Sequence, residues 1–460
     1  MAKNATKDMT SGSPMKLILG FAFPMLLGLL FQQFYSMVDT IIVGRWLGVN
    51  SLAVDPEELT KTVISMVMGI VLFMVIGFCV GVCSGFAIPV AQKFGAGDYT
   101  ALRKFVANSV WISAVFAAVM TVVVCALCMN ILRWMNTPSD IIEEAYEYII
   151  VIFFGIPVIF LYNLLSGILR SLGDSKTPVF FLVLSSILNI VLDVASIGVL
   201  HMGVEGPAWA TVISQGVSGV LCLFYMMKHF EILRIRKEEW RIEGRYIVTL
   251  CNMGVPMGLQ YSITAVGSVI LQTAVNSLGS MAVAAVTAGS KVAMFFCCMF
   301  DALGGTMATY AGQNVGARKM ERINQGMKAS VVIGTVYSVL ACIVLICFGR
   351  TIALLFMKAD EVQILGRVQH FLIINSLFYI PLALVNIVRF CIQGMGFSTF
   401  AILAGVCEMA ARAFAGFLLV PIFGFDAVCF ANPLAWICAD AFLIPAHLFC
   451  MKKLRKMLGG

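Results

Sequence analysis

Charge is what this 460-residue chain has least of. Only 12% of its residues are charged, against about 25% in a soluble globular chain. The charges are absent from long stretches and crowded into short ones, the pattern of a chain dissolved in lipid. Histidine is also scarce, with four residues. Neither H-E-x-x-H nor G-x-S-x-G occurs, which argues against a membrane-embedded hydrolase. The period-2 alternation of a membrane barrel is missing. The polar start, Met1 to Pro14, leads straight into a full apolar span, so no cleavable leader is expected.

What is there instead is apolar length, with 60% of the chain hydrophobic. Several runs of 20 residues or more hold at most one charge, enough to cross a hydrocarbon core of roughly 30 Å. Backbone groups in that core must pair within their own segment, so the runs are predicted helices. Twelve spans are expected near 15–44, 62–90, 104–132, 141–169, 177–199, 206–228, 247–277, 282–311, 324–348, 361–393, 399–422 and 427–451. With the N-terminus inside, the inner segments hold 22 Lys and Arg and the outer ones six (Arg45, Lys61, Arg133, Arg350, Lys358, Arg367). Lys291, Arg389 and Arg412 fall within spans. This bias predicts both termini in the cytoplasm. It also accounts for the net charge of +7 without a nucleic-acid partner. Fifteen cysteines lie mostly inside apolar runs. The one C-x-x-C, Cys125 to Cys128, has no second pair and no nearby histidine, so buried small side chains are the expected role.

The chain repeats itself weakly but in order. "FPMLLG" at Phe23 parallels "VPMGLQ" at Val255, and "LGVNSLAV" at Leu47 parallels "LGSMAVAAV" at Leu278. "AQKFGAGD" at Ala91 parallels "GQNVGARK" at Gly312, and "RSLGDS" at Arg170 parallels "QGMGFS" at Gln393. "MGVEGPAWA" at Met202 parallels "FGFDAVCFA" at Phe423, and all offsets lie between 221 and 232. Six spans per half is even, so the halves face the same way, related by a pseudo-two-fold axis along the membrane normal. The expected organisation is a cytoplasmic tail (1–14), an N-lobe (15–228), a basic cytoplasmic loop (229–246), a C-lobe (247–451) and a basic cytoplasmic tail (452–460). The loop, with Lys228 to Arg245 as its richest stretch, reads as a membrane-surface contact. The first half carries about ten extra residues around Asp55-Pro-Glu-Glu. An N-cap acid, a proline and two more acids read there as the start of a helix.

These motifs resemble the multidrug and toxic compound extrusion (MATE) family over essentially the whole chain. The residues that carry the resemblance are "VDTIIVGRWLG" (Val38 to Gly48), "AQKFGAGD", "GILRSLGDSKTP" (Gly167 to Pro178), "LNIVLD" (Leu188 to Asp193) and "GVEGPAWATVIS" (Gly203 to Ser214). The resemblance implies two six-helix lobes in a V. It also implies alternating access driven by sodium or protons, with no other cofactor. The charged insert after Val54 departs from the short apolar connection usual in the family.

An ionisable group in a span is expensive, commonly about 2.5–3.5 kcal/mol on insertion scales, and is a functional candidate by default. The first half offers Asp39 and Asp193. Asp39 lies 23 residues beyond Lys16, roughly 34 Å at the helical rise. Asp193 lies 17 residues beyond Lys176, roughly 26 Å along. Asn189 is one turn below Asp193 on the same face, and Thr211 sits just inside the outer start of span six. All four can occupy the outer half of the first lobe. Two carboxylates, an amide and a hydroxyl offer oxygens to a hard cation such as sodium, and neighbouring acids equally suit a proton. The resemblance agrees: in the DinF-like bacterial branch with an N-lobe ion site, the matching Asp, Asn-x-x-x-Asp and Thr form that site. An interfacial acid at Asp39 and a structural clasp of Asn189 with Asp193 are the plainer readings.

Asn163, Gln32 and Tyr35 are secondary polar or substrate candidates. Spans seven and ten lack interior acids, so no C-lobe carboxylate site is expected. Glu408 and Arg412, at i, i+4, are expected to pair as structural glue. Lys291 and Asp301 need other partners. The 27 Met and 34 Phe could in part line a forgiving cavity for flat aromatic cations. The expected protein is thus an all-α bacterial plasma-membrane antiporter acting as a monomer, exporting cationic or amphipathic compounds for Na+ or H+. The nearest alternative is a lipid-linked saccharide flippase, which should need several cavity arginines. A major facilitator transporter is disfavoured because "QKFGAGDYTALRK" does not match that family's loop between spans two and three.

Overall fold

The computed structural model describes residues 6–46, 56–134, 142–203, 205–355 and 361–458; within these, the side chains of 38–46, 56–73, 134 and 144 are left aside. Among the described residues the fold is entirely helical. The first six spans are built from α1 (Pro14–Trp46), α2 (Pro56–Gly95), α3 (Tyr99–Trp134), α4 (Ile142–Phe154), α5 (Ile156–Ser171), α6 (Lys176–Gly198) and α7 (Glu205–His229). The second six follow as α8 (Gly244–Asn276), α9 (Ser280–Gly316), α10 (Met320–Ala353), α11 (Val362–Leu377), α12 (Tyr379–Gly394), α13 (Thr399–Phe414), α14 (Val420–Phe423) and α15 (Phe425–Met457). A π-turn at Ala415–Leu419 joins α13 to α14. Ten segments are long and apolar enough to cross a membrane alone, and two bent pairs bring the total to twelve.

The bent pairs correct the sequence reading, which took 141–169 and 361–393 as single helices. α4 and α5 meet at 47°, and α11 and α12 at 51°. Each break is followed within three residues by a proline, Pro157 in α5 and Pro381 in α12. Proline has no N–H to give the carbonyl four residues back and its ring crowds that carbonyl. The carbonyls in question are those of Phe153 and Leu377, at the ends of α4 and α11.

The internal repeat is visible in the turns. Two motif pairs end their helices on a residue with positive φ: Gly97 (+71°) and Arg318 (+57°), then Gly173 (+85°) and Gly396 (+95°). Each turn closes with the same two bonds. Asp98 N–H donates to Lys93 O at 3.1 Å and Gly97 N–H to Phe94 O at 3.1 Å. Their counterparts are Lys319 N–H to Asn314 O at 2.9 Å and Arg318 N–H to Val315 O at 3.0 Å. This is the Schellman helix ending. Arg318 holds without glycine's freedom the conformation that Gly97 holds with it.

The chain divides into two compact units, 1–8 with 27–258 and 9–26 with 259–460. The division cuts α1 and α8 two residues beyond Pro24 and Pro256 respectively. Within the first unit, α2 lies against α8 through glycines on both sides. A Cβ on Gly85 would stand 2.4 Å from Gly254 Cα, and one on Gly81 would stand 2.8 Å from Gly258 Cα. Only small residues permit such backbone approach in a lipid-embedded bundle. Also in this unit, 3₁₀ turns at Glu231–Leu233 and Lys237–Trp240 fold the basic loop onto the start of α3. Arg103 and Glu239 clamp it with a paired contact of 2.7–2.8 Å. Within the second unit, the tail at 9–12 is tied down. Met9 N–H donates to Gln313 Oε1 at 2.9 Å, and Lys319 Nζ donates to Thr10 O at 2.8 Å.

Candidate functional site: two buried polar clusters

In the first unit, α1, α6 and α7 bring Tyr35, Asn189, Asp193 and Thr211 together. Asn189 and Asp193 are one turn apart on α6 and are 1% and 0% exposed. One orientation of the Asn189 amide satisfies both its ends. Its nitrogen then donates to Tyr35 Oη at 2.7 Å and to Asp193 Oδ2 at 3.0 Å. Its oxygen accepts from Thr211 N–H at 2.9 Å, with Thr211 Oγ1 3.2 Å away. Thr211 Oγ1 in turn donates to Pro207 O at 3.0 Å. Among the described residues the cluster holds one carboxylate with an amide and two hydroxyls, all of which carry oxygens.

Other candidates are placed as follows. Asp39 sits on α1 in the stretch whose side chains lie outside the described residues, and Asp55 of the insert lies outside them too. α2 begins at Pro56, one residue after it. Asn163 donates to Ile159 O of its own helix at 2.9 Å. Gln32 is exposed and has no described link to it. Tyr35, a secondary polar or substrate candidate, reaches Asn189.

In the second unit, Glu408 and Arg412 approach as the i, i+4 spacing predicts, Arg412 Nη2 lying 3.6 Å from Glu408 Oε2. The nearer partner of Glu408 is Arg389, from α12. Sequence reasoning missed this contact, since the two residues are on different helices. All three side chains are buried, at 6%, 3% and 7% exposure for Arg389, Glu408 and Arg412. Arg412 Nε also donates to Asn432 Oδ1 on α15 at 3.3 Å. Gln393 donates to Gln260 at 2.6 Å in the same unit. Two further acids lie in helices of this unit, Asp301 on α9 and Asp440 on α15. Asp440 is 7% exposed and was not picked out from sequence, although a lone acid inside "WICADAFLIP" was signal enough. Lys291 is half-buried on α9.

The two clusters occupy matching places in the repeat. An offset of 223 residues carries Lys176, the first residue of α6, to Thr399, the first of α13. The same offset carries Asn189 to Arg412 and Ser185 to Glu408. The 221-residue offset of "MGVEGPAWA" to "FGFDAVCFA" carries Thr211 to Asn432. The contact between Arg412 and Asn432 thus repeats, with other chemistry, the contact between Asn189 and Thr211.

Twelve hydrophobic spans in two copies of one pattern, each copy with a polar cluster buried among its helices, define a membrane transporter. The family model described as MatE matches residues 24–195 and 256–418. The chain belongs to that family and is a MATE-type efflux transporter. It is 28% identical over 350 residues to the "Probable multidrug resistance protein YoeA" of Bacillus subtilis, covering 74% of this chain and 73% of that one. It is 30% identical over 322 residues to the "Probable multidrug resistance protein YpnP" of the same organism, covering 69% and 68%. Among solved structures it is similar to the outward-facing conformation of a multidrug resistance MATE family transporter, with a TM-score of 0.88 and 21% identity. That match covers 99% of this chain and 100% of the other.

Proposed function

We propose that this transporter is a secondary antiporter that exports cationic or amphipathic organic compounds in exchange for Na+ or H+. It would act as a monomer in the bacterial plasma membrane, with both termini cytoplasmic. The coupling site would comprise Asp39, Asn189, Asp193 and Thr211, with Tyr35 added by the geometry. The observation that carries this reading is the fully buried Asp193 carboxylate, held by a neutral amide that a hydroxyl and a backbone N–H hold in turn. A carboxylate in a span is retained at a solvation cost of several kcal/mol, and here its hydrogen-bonded neighbours can turn oxygens toward an incoming cation or give way to a proton. Ion and substrate binding to opposite conformations would make each drive the other's release.

The flippase alternative needs guanidiniums free to meet an anionic headgroup. Arg389 and Arg412 are instead engaged with Glu408 and Asn432, which favours the antiporter.

The test is efflux of a fluorescent organic cation from proteoliposomes under imposed sodium or proton gradients. Efflux against a substrate gradient should stop when both ion gradients are collapsed. Undiminished uphill efflux would reject antiport. Asp39→Asn and Asp193→Asn should each abolish the gradient dependence in protein that remains inserted.

A further inference from the structure

The basic loop does more than cover the end of α3. The turn after α2, the start of α3 and the start of α8 enclose a cleft of about 460 Å³ within the first unit. Three cations line it: Lys93, Lys104 and Arg245. Thr100, Thr249 and Tyr246 add hydroxyls to the lining, and Asp98 adds a carboxylate. Tyr246 packs edge-on against Phe105, also in the lining, with centroids 4.7 Å apart. Arg245 lies over the Tyr246 ring at 4.7 Å and donates to its hydroxyl at 3.1 Å.

Each of the three cations is held by a carboxylate, but one carboxylate serves two of them. Glu243 holds Lys104 at 2.7 Å and Arg245 at 3.1 Å, and Asp98 holds Lys93 at 3.3 Å. Three positive charges thus face two negative ones. Each lysine has three N–H groups and arginine has five, so most donors remain for a ligand. The Lys93 and Arg245 side chains are 38% and 71% exposed.

Beside the cleft, the same loop presents an apolar edge. Trp240 and Ile242 are 39% and 59% exposed, and Trp111 on α3 is 44% exposed. Trp111 donates through Nε1 to Trp240 O at 3.2 Å, and the two rings meet edge-on. Exposed tryptophans of this kind sit at the headgroup level of a bilayer. Asn108 fixes the loop from within, donating to Arg241 O at 3.3 Å and accepting from Glu243 N–H at 3.0 Å. A clamped loop with tryptophan and isoleucine on one side and a three-cation cleft on the other fits a ligand with both a phosphate and acyl chains.

We propose that this cleft binds the phosphate-bearing headgroup of an anionic phospholipid. The phosphodiester oxygens bridge Lys93, Lys104 and Arg245, glycerol or sugar hydroxyls meet Thr100 and Thr249, and the chains run past Trp240 and Ile242. A zwitterionic headgroup is the weaker ligand, because its own ammonium meets the same cations. Inorganic phosphate lacks the chains that the apolar edge would cover.

The test uses the full-length protein in mild detergent, with thermal unfolding and native mass spectrometry as readouts. Phosphatidylglycerol, phosphatidylcholine and inorganic phosphate are added at matched concentrations. Phosphatidylglycerol should raise the unfolding temperature and survive as a bound adduct, while the other two should do neither. Lys93→Gln with Arg245→Gln should weaken phosphatidylglycerol binding by about fivefold per charge removed. Both side chains lie at the surface, so the fold should persist. The control Lys452→Gln with Lys456→Gln, in the last turns of α15, should bind like the unaltered protein. Equal responses to the two lipids, or full binding by the Lys93/Arg245 variant, would overturn the proposal. Stabilisation by inorganic phosphate to the same extent would overturn the lipid assignment. None of these readouts involves transport, so their outcome is independent of the antiport reading.

Discussion

In the first unit the buried carboxylate of Asp193 receives a hydrogen bond from a neutral amide, whereas in the second the carboxylate of Glu408 lies between two guanidiniums. Through the repeat Asn189 stands where the second copy has Arg412, while Glu408 stands where the first has Ser185, so the two acids occupy different positions of one frame. The same helical frame therefore supports two answers to an acid inside a membrane. In one, the cation is covalently part of the protein and permanently in place. In the other, the described neighbours, Asn189, Tyr35 and Thr211, are neutral oxygen-bearing groups, which on the antiport reading leave room for a mobile cation or proton. A buried acid is thus better judged by what surrounds it than by its presence in a span.

Several measurements would break or sharpen this comparison. The largest effect is expected from Asp193→Asn, which should eliminate gradient-driven efflux in proteoliposomes while leaving unfolding almost unchanged. A variant that transports normally would place the exchangeable site elsewhere. Glu408→Gln should do the reverse. It strands Arg389 and Arg412 together in a buried space, and breaking a buried ion pair from one side destabilises by about 3–5 kcal/mol. Its unfolding temperature should fall clearly while any surviving protein still responds to the ion gradient. A folded but inactive Glu408→Gln would move the coupling chemistry into the second unit. Arg412→Asn, which copies the first unit's residue, leaves Glu408 its contact with Arg389. A loss of about 1–3 kcal/mol in stability is expected, typical of a charged hydrogen bond, with coupling intact. Asn189→Ala removes a neutral ligand only, and about a tenfold rise in half-saturating ion concentration is expected.

The smallest effect concerns a charge pair outside both clusters. The hydrogen bond from Arg103 holds the Glu239 carboxyl below its ordinary value of 4.5. The clamp's contribution is therefore present above the ordinary glutamate value and is lost as pH falls through the lowered one. Tryptophan quenching by acrylamide, compared with a Trp240→Phe control, should stay flat near neutrality and rise only in acid. A change between pH 6 and 8 would assign the loop to another switch.

The fold was legible because membrane crossing is a matter of apolar length, and length can be read directly. The bends were not, because a proline inside an apolar run leaves the hydropathy unchanged while removing one hydrogen bond. Pro157 and Pro381 acted where the sequence pattern showed continuous helix. The spacing of Asn189 and Asp193 put them on one helical face, and Thr211 on the next helix meets them there. Tyr35 was a secondary polar or substrate candidate, and its hydroxyl meets the Asn189 amide of the same cluster. Arg389 as partner to Glu408 was not legible, since 19 residues and a turn separate them and only packing of α12 on α13 brings them together. The bond of Asn163 to its own helix carbonyl was not legible either, since side-chain rotamers are not written in the sequence.

The guanidinium at position 412 has a thermodynamic consequence. On the antiport reading, Glu408, whose counterions are side chains of the protein itself, has no vacancy for a mobile one, so the exchangeable charge of the cycle is assigned to Asp193 in the other half. One elementary charge moving through 100 mV releases about 2.3 kcal/mol, equivalent to roughly a fiftyfold concentration ratio. For a neutral substrate exchanged against a single charge, that ratio is the ceiling contributed by each 100 mV of membrane potential. Steeper accumulation would require a second ion per turnover. Counting ions per exported molecule therefore also tells whether one lobe or both are working.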